Sequence, residues 1–116
     1  MKKIKKEIST ATKACPFRQT LDTLEGKWKF AIIYELLKKD KYRFKELERE
    51  VEGITSRMLI KELKSLERSD IIRREQFPTI PPKVEYSLTE HGVTLEPIMT
   101  VMTEWGKKHL ERKMKD

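Results

Sequence analysis

Four cations recur along one short stretch of this chain: Arg57, Lys61, Lys64 and Arg68, at i, i+4, i+7 and i+11. That spacing returns to a single stripe of an α-helix. Such a row can neutralise phosphates, and an arginine within it can grip the O6 and N7 acceptors of a guanine. Leu59, Leu63 and Leu66 recur at i, i+4 and i+7 on a different stripe, which docks the helix on a core and turns the charge outward. A second chemistry is offered by Cys15, the one cysteine of the chain, which precedes Pro16. Proline is favoured at the first helical position, so Cys15 stands at the amino end of a helix running to about Leu24. Aligned peptide dipoles there favour the thiolate, the form that reacts with oxidants and electrophiles. Two readings stand for Cys15: a redox-sensing switch, or a small apolar filler.

Other chemistries find little support. One cysteine and two distant histidines, His91 and His109, give no metal-spaced cluster. There is no glycine-rich phosphate loop and no evident nucleophile–base set, so neither an enzyme, a cofactor nor a metal is expected. His91, beside a helix start, reads as a surface residue. The formal net charge of +7 and pI near 9.5 point to a polyanionic partner, nucleic acid before an acidic membrane surface. No apolar run approaches the roughly 20 residues of a membrane span. The opening Met-Lys-Lys-Ile-Lys-Lys is followed by no hydrophobic segment, so a secretory signal is not expected. A single cysteine fits a reducing, cytoplasmic setting. At 116 residues, 37% hydrophobic and 39% charged, one helix-rich domain over 14–116 is expected, behind a flexible basic arm over 1–13.

The elements that must position the cations follow from local patterning. Thr55 is a good N-cap for the cationic helix, and Gly53 suits the left-handed position that ends a preceding one. Phe44, Leu47 and Val51 give that preceding helix its apolar face, so about 44–68 reads as helix-turn-helix, its second helix suited to a DNA major groove. Thr55, Ser56, Arg57, Ile60 and Lys61, on the early exposed turns, are the candidates for base edges. Arg43, Lys45 and Lys64 are candidates for phosphate. Ile71–Phe77 and Lys83–Leu88 have strand character and flank Pro78-Thr79-Ile80-Pro81-Pro82, whose prolines keep the connector out of the ladder. This is a wing, over about 71–88, with Arg73, Arg74 and Lys83 supplying charge.

Upstream, Phe17, Leu21 and Leu24 form one apolar face. Gly26 interrupts, and Lys27–Lys38 resumes helical spacing with Trp28 as core and Asp40 capping its end. Tyr42-Arg43 reads as a short extended piece. Downstream, Thr89 caps a helical stretch over about 90–114 in which Pro97 predicts a bend or a second helix. Leu95, Ile98, Met99, Met102, Trp105 and His109 widen into an apolar stripe with too little domain left to cover it. The expectation is packing against the same helix of a second copy. The fold class expected is mainly α with a small β wing (α+β), a winged helix-turn-helix with terminal dimerisation helices.

These residues also resemble a known family. Cys15-Pro16, Thr20-Leu21-Asp22, Gly26-Lys27-Trp28, Arg43-Phe44 with Glu46-Leu47, and Gly53-Ile54 carry the first half of the resemblance. Met58-Leu59, Leu63, Leu66-Glu67, Pro81-Pro82, Val84-Glu85-Tyr86, Leu88-Thr89-Glu90, Gly92 and Trp105-Gly106 carry the second. In this order and spacing, over roughly residues 15–106, the chain resembles the HxlR family of bacterial transcription regulators, winged helix-turn-helix dimers distantly similar to MarR proteins. The resemblance implies that the Thr55–Arg68 helix reads bases, the wing touches the minor groove or backbone, and the terminal helices dimerise. It also implies a sensing role for Cys15, since some relatives use the aligned cysteine to detect electrophiles or oxidants. The chain departs from the pattern with Glu25, Asp40 and Asp70 in place of glycines. Ile60 stands where a small polar residue is common, and Glu62 where a basic one is. Asp tolerates the left-handed turn conformation, and Ile60 can meet a thymine methyl. Glu62 would repel a phosphate unless it accepts from a cytosine or pairs with a lysine.

The function expected is a sequence-specific DNA-binding transcriptional regulator, acting as a homodimer on an inverted repeat, with Cys15 as the candidate sensor of oxidants or electrophiles. The alternative is a winged-helix module that turns the same basic helix toward an acidic protein and never meets DNA. RNA is a weaker third, because the aromatic residues sit at core spacing instead of forming a stacking platform. The sequence names no small-molecule effector.

Overall fold

Residues 15–115 are described by the computed structural model, and the basic arm expected over 1–13 lies outside them. The elements are α1 (Pro16–Leu24), α2 (Lys29–Leu36), α3 (Phe44–Glu50), α4 (Ser56–Arg68), β1 (Ile72–Phe77), β2 (Lys83–Leu88), α5 (Glu90–Val93) and α6 (Glu96–Lys115). This is the winged helix-turn-helix order expected.

Local chemistry sets the boundaries. Thr55 Oγ1 accepts the Met58 N–H at 3.2 Å and opens α4. Gly53, at φ +87°, carries the chain out of α3. Asp70 closes α4 in the left-handed region, at φ 59°, with the Ile71 N–H returning to the Leu66 carbonyl at 3.0 Å. Asp70 therefore holds the turn that a glycine holds elsewhere. Asp40 does not cap α2, contrary to expectation. The helix ends at Leu36, where the Leu37 N–H returns to Ile33 and the Lys38 N–H to Glu35, and Asp40 lies beyond that closure.

The core forms where these elements converge. Ile32, Ile33, Leu47, Leu59, Leu66 and Ile72 are fully buried, each contributing roughly 1.5–3 kcal/mol relative to exposure. β1 and β2 pair antiparallel, with Ile72 opposite Leu88, Arg74 opposite Tyr86 and Gln76 opposite Val84. Tyr42 adds a third rung: its N–H donates to the Tyr86 carbonyl at 2.9 Å and its carbonyl accepts the Tyr86 N–H at 2.7 Å. The short extended piece at Tyr42 thus ties the entry of α3 to the wing.

Behind the wing, Thr89 Oγ1 accepts the Gly92 N–H at 2.9 Å and donates to the Asp70 carbonyl at 2.6 Å, joining the start of α5 to the end of α4. This leaves no room at Gly92, where a Cβ would lie 2.1 Å from the Ile71 carbonyl oxygen. Both partners are backbone, so neither can swing aside. Gly92→Ala is expected to lower stability by about 3 kcal/mol, the upper end for overpacking, read as a fall in Tm or in urea midpoint.

Of the two outcomes expected at Pro97, the second is found. α5 ends at Val93, and Pro97 sits in the first turn of a separate, 20-residue α6. Along α6 the apolar stripe divides. Met99 is buried and Leu95 packs against the core, so these two expected dimer contacts already have partners within the chain. Ile98, Met102 and Trp105 are exposed, with Trp105 stacked on His109 at 4.7 Å between ring centroids. α1 behaves alike: Leu24 is buried, whereas Phe17 and Leu21 face outward.

Candidate nucleic-acid interface

On α4, Leu59, Glu62, Leu63 and Leu66 are buried and Arg57, Lys61, Lys64 and Arg68 are exposed. At 100° per residue the two sets centre on opposite sides of the helix. None of the four cations pairs with a carboxylate among the described residues. The charge therefore stands open on one face while the leucines hold the other.

Glu62 belongs to the buried side. Its carboxylate meets the Lys29 ammonium of α2 at 3.2 Å, with both side chains about nine-tenths buried, and Lys29 also donates to the Glu25 carbonyl at 3.4 Å. Of the outcomes open to Glu62, pairing with a lysine is the one found, so it does not oppose a phosphate. Nothing periodic links Lys29 to a partner 33 residues away, so no sequence signal could have found this pair.

The base-edge candidates divide. Thr55 is occupied as the N-cap, and the Ser56 hydroxyl hydrogen-bonds the Glu48 carboxylate of α3. Thr55 and Ser56 therefore serve the turn, while Lys45 meets the same carboxylate along α3 at 3.4 Å. Arg57, Ile60 and Lys61 remain exposed and uncommitted among the described residues. At the start of α3, Glu46 accepts the Arg43 N–H at 2.9 Å and pairs with Lys39. Those bonds, the Lys39 ammonium first, hold the Glu46 carboxyl below the usual carboxylate range. The Arg43 guanidinium has no carboxylate partner among the described residues.

The wing separates its expected cations. Successive strand residues face opposite sides, so Arg73 and Arg74 leave the strand in different directions. Arg74, opposite Tyr86, shares the inner face and lines a groove against α4 with Phe44, Ile60, Lys64, Arg68 and Val84. Arg73, opposite Ser87, takes the other face, near Thr89 and His91. Lys83 is held over the Phe77 ring at 4.6 Å and beside Glu85 at 3.9 Å. Arg74 is thus the wing cation adjoining α4.

Cys15 occupies the N-cap position of α1, partly buried, with its carbonyl accepting the Gln19 N–H at 2.9 Å. Among the described residues no group of His, Cys, Asp and Glu is placed to hold a metal, and no helix is long and apolar enough to cross a membrane.

A helix exposing an unpaired cationic face, with a wing beside it, invites comparison with known proteins. A family model for HxlR-like helix-turn-helix proteins matches residues 23–114. The chain belongs to the HxlR family. It is 48% identical over 98 residues to the HTH-type transcriptional regulator YdeP of Bacillus subtilis, covering 84% of this chain and 76% of that one. Among solved structures it is similar to the redox regulator HypR in its reduced form, at TM-score 0.79 and 44% identity, over 87% of this chain and 99% of that one. It is also similar to diamide-treated YodB from B. subtilis, at TM-score 0.69 and 34% identity, over 81% and 92%. This HxlR protein is a DNA-binding transcriptional regulator with a MarR-like winged helix.

Proposed function

We propose that the protein binds an inverted-repeat operator as a homodimer, laying two copies of α4 in successive major grooves about 34–36 Å apart. The observation that carries this reading is the open face of Arg57, Lys61, Lys64 and Arg68 opposite the buried leucines. Arg57, Ile60 and Lys61 then meet base edges, while Arg43, Lys64, Arg68 and Arg74 meet phosphates. Exposed Phe17 and Leu21 on α1, with Ile98, Met102 and Trp105 on α6, support a second copy as the cover for those helices.

Fragments selected from the source genome, tested in gel shifts against salt-matched random DNA, should share a two-fold repeat. On such an operator Arg57→Ala should cost about 1–3 kcal/mol and relax preference at one position per half-site. An equal loss on every sequence would reassign Arg57 to phosphate. Failure to prefer any fragment would remove the DNA reading and favour an acidic protein partner.

Redox control through Cys15 belongs to the same reading. The similarity to a redox regulator and to a protein crystallised after diamide treatment supports it, as does a thiol placed at a helix start. With one cysteine per chain, a disulfide requires Cys15 of a second copy or a small external thiol. Diamide should change operator affinity of the native protein and leave Cys15→Ser protein unaffected. A serine variant that still responds would place the sensing elsewhere.

A further inference from the structure

We propose that Lys27, in the loop between α1 and α2, grips the DNA backbone on the side of α4 opposite the wing. The inference rests on the DNA reading above. α4 is flanked by two grooves. Ile60, Lys64 and Glu67 border the one against the wing; Met58, Lys61 and Ser65 border the other, whose far wall is the loop Gly26-Lys27-Trp28. Arg68 reaches both. On the helical wheel these flanks lie on either side of the exposed cationic stripe. A helix seated in a major groove has a sugar-phosphate strand on each side of it, so the loop would stand where the wing's counterpart strand runs.

The loop is shaped for that position. Gly26, at φ +98°, turns the chain out of α1. The Lys27 ammonium lies 4.8 Å from the centre of the Trp28 ring, which fixes a side chain otherwise free to wander. Trp28 in turn packs toward the helix-turn-helix turn: a Cβ on Gly53 would come within 3.5 Å of its ring. Lys29, the next cation, is taken by Glu62 and cannot serve. Lys27, Lys61 and Arg68 meet no carboxylate among the described residues, against one exposed carboxylate on this flank, Glu25. The flank is therefore net cationic, and the lysine is held by an aromatic face instead of by an internal acid.

The test compares native protein with Lys27→Ala and Lys27→Arg on the selected operator and on random DNA, with thermal unfolding to confirm intact folding. Losing one phosphate contact per protomer should make the slope of log affinity against log salt about 1.8 less steep for a dimer. Between 50 and 200 mM salt, Lys27→Ala should then lose about twelvefold less affinity than the native protein. Its weakening at low salt should be equal on operator and random DNA, and Lys27→Arg should restore it. In ethylation interference, one set of phosphates flanking each half-site should stop mattering in Lys27→Ala. An unchanged slope and interference pattern, with native protein still bound to its operator, would overturn the role of Lys27 alone. Native protein that binds no DNA would overturn both readings together.

Discussion

Replacing Glu62 with leucine is expected to destabilise the fold by about 3–5 kcal/mol, and Lys29→Met by a similar amount. Each variant leaves one charge in a site where both side chains are about nine-tenths buried and 3.2 Å apart. Only about a tenth of each side chain meets solvent, so water replaces the missing partner poorly, and added salt should rescue little, since screening acts mainly on exposed charges. The combined variant Lys29→Met with Glu62→Leu should recover most of the loss, because two apolar side chains of similar volume leave no unpaired charge behind. The two single losses would then be strongly non-additive, the signature of a direct contact. Urea unfolding of the four proteins supplies the cycle. Single variants costing under about 1 kcal/mol would mean that the pair behaves as an exposed salt bridge.

The pair also sets where α4 points. Leucines alone fix which stripe of the helix faces the core, but a greasy contact permits small rotations and slides. A lysine from α2 reaching one carboxylate of α4 removes that freedom. The double variant should therefore fold well yet discriminate operator from random DNA less sharply than the native protein.

What was legible in the sequence, and what was not, follows from the range of the forces involved. The cationic and leucine stripes of α4 are periodic over a few turns, so helix, orientation and charge could be read directly. The wing showed through its strand-forming residues and its prolines, and Pro97 predicted either a bend or a division of the last helical stretch, of which the division is found. Asp40 misled because a residue able to cap a helix is not one that must, and α2 closed on its own backbone earlier. The larger gap concerns which polar groups are already occupied. Glu62 looked like a misplaced charge on the reading helix because its partner lies on another element. Ser56 looked available because Glu48, which holds it, is adjacent only after α3 and α4 have folded together, whereas the Lys45–Glu48 pair is local to α3 at i,i+3 and was legible in the spacing. Arg73 and Arg74 looked equivalent until the strand register assigned them opposite faces. Met99 looked like an interface residue until α6 was seen to use it as an anchor. Charge type is a local property. Whether a charge is free for a partner is decided by tertiary neighbours.

That distinction leads to the second large effect expected, the salt dependence of operator binding. Lys45 and Lys83 already face carboxylates and Arg73 lies outside the groove that Arg74 shares with Lys64 and Arg68, which leaves Arg43, Lys64, Arg68 and Arg74 as the phosphate contacts of each protomer. With eight such contacts in a dimer, log affinity should fall against log salt with a slope of about −7, and Lys27 would bring it to about −9. A slope of −7 means that raising salt from 50 to 200 mM weakens binding by roughly 10⁴-fold. Removing Lys64 and Arg68 together should halve the slope, since they account for four of the eight, while Lys45→Ala and Lys83→Ala should leave it nearly unchanged. If the Lys45 and Lys83 variants instead flatten the slope as much as the α4 variants do, their carboxylates yield to phosphate on binding, and internal pairing is no guide to which cations meet DNA. A flat response in the native protein would show that the open cationic face of α4 meets no polyanion, and the interface would have to be sought on another surface.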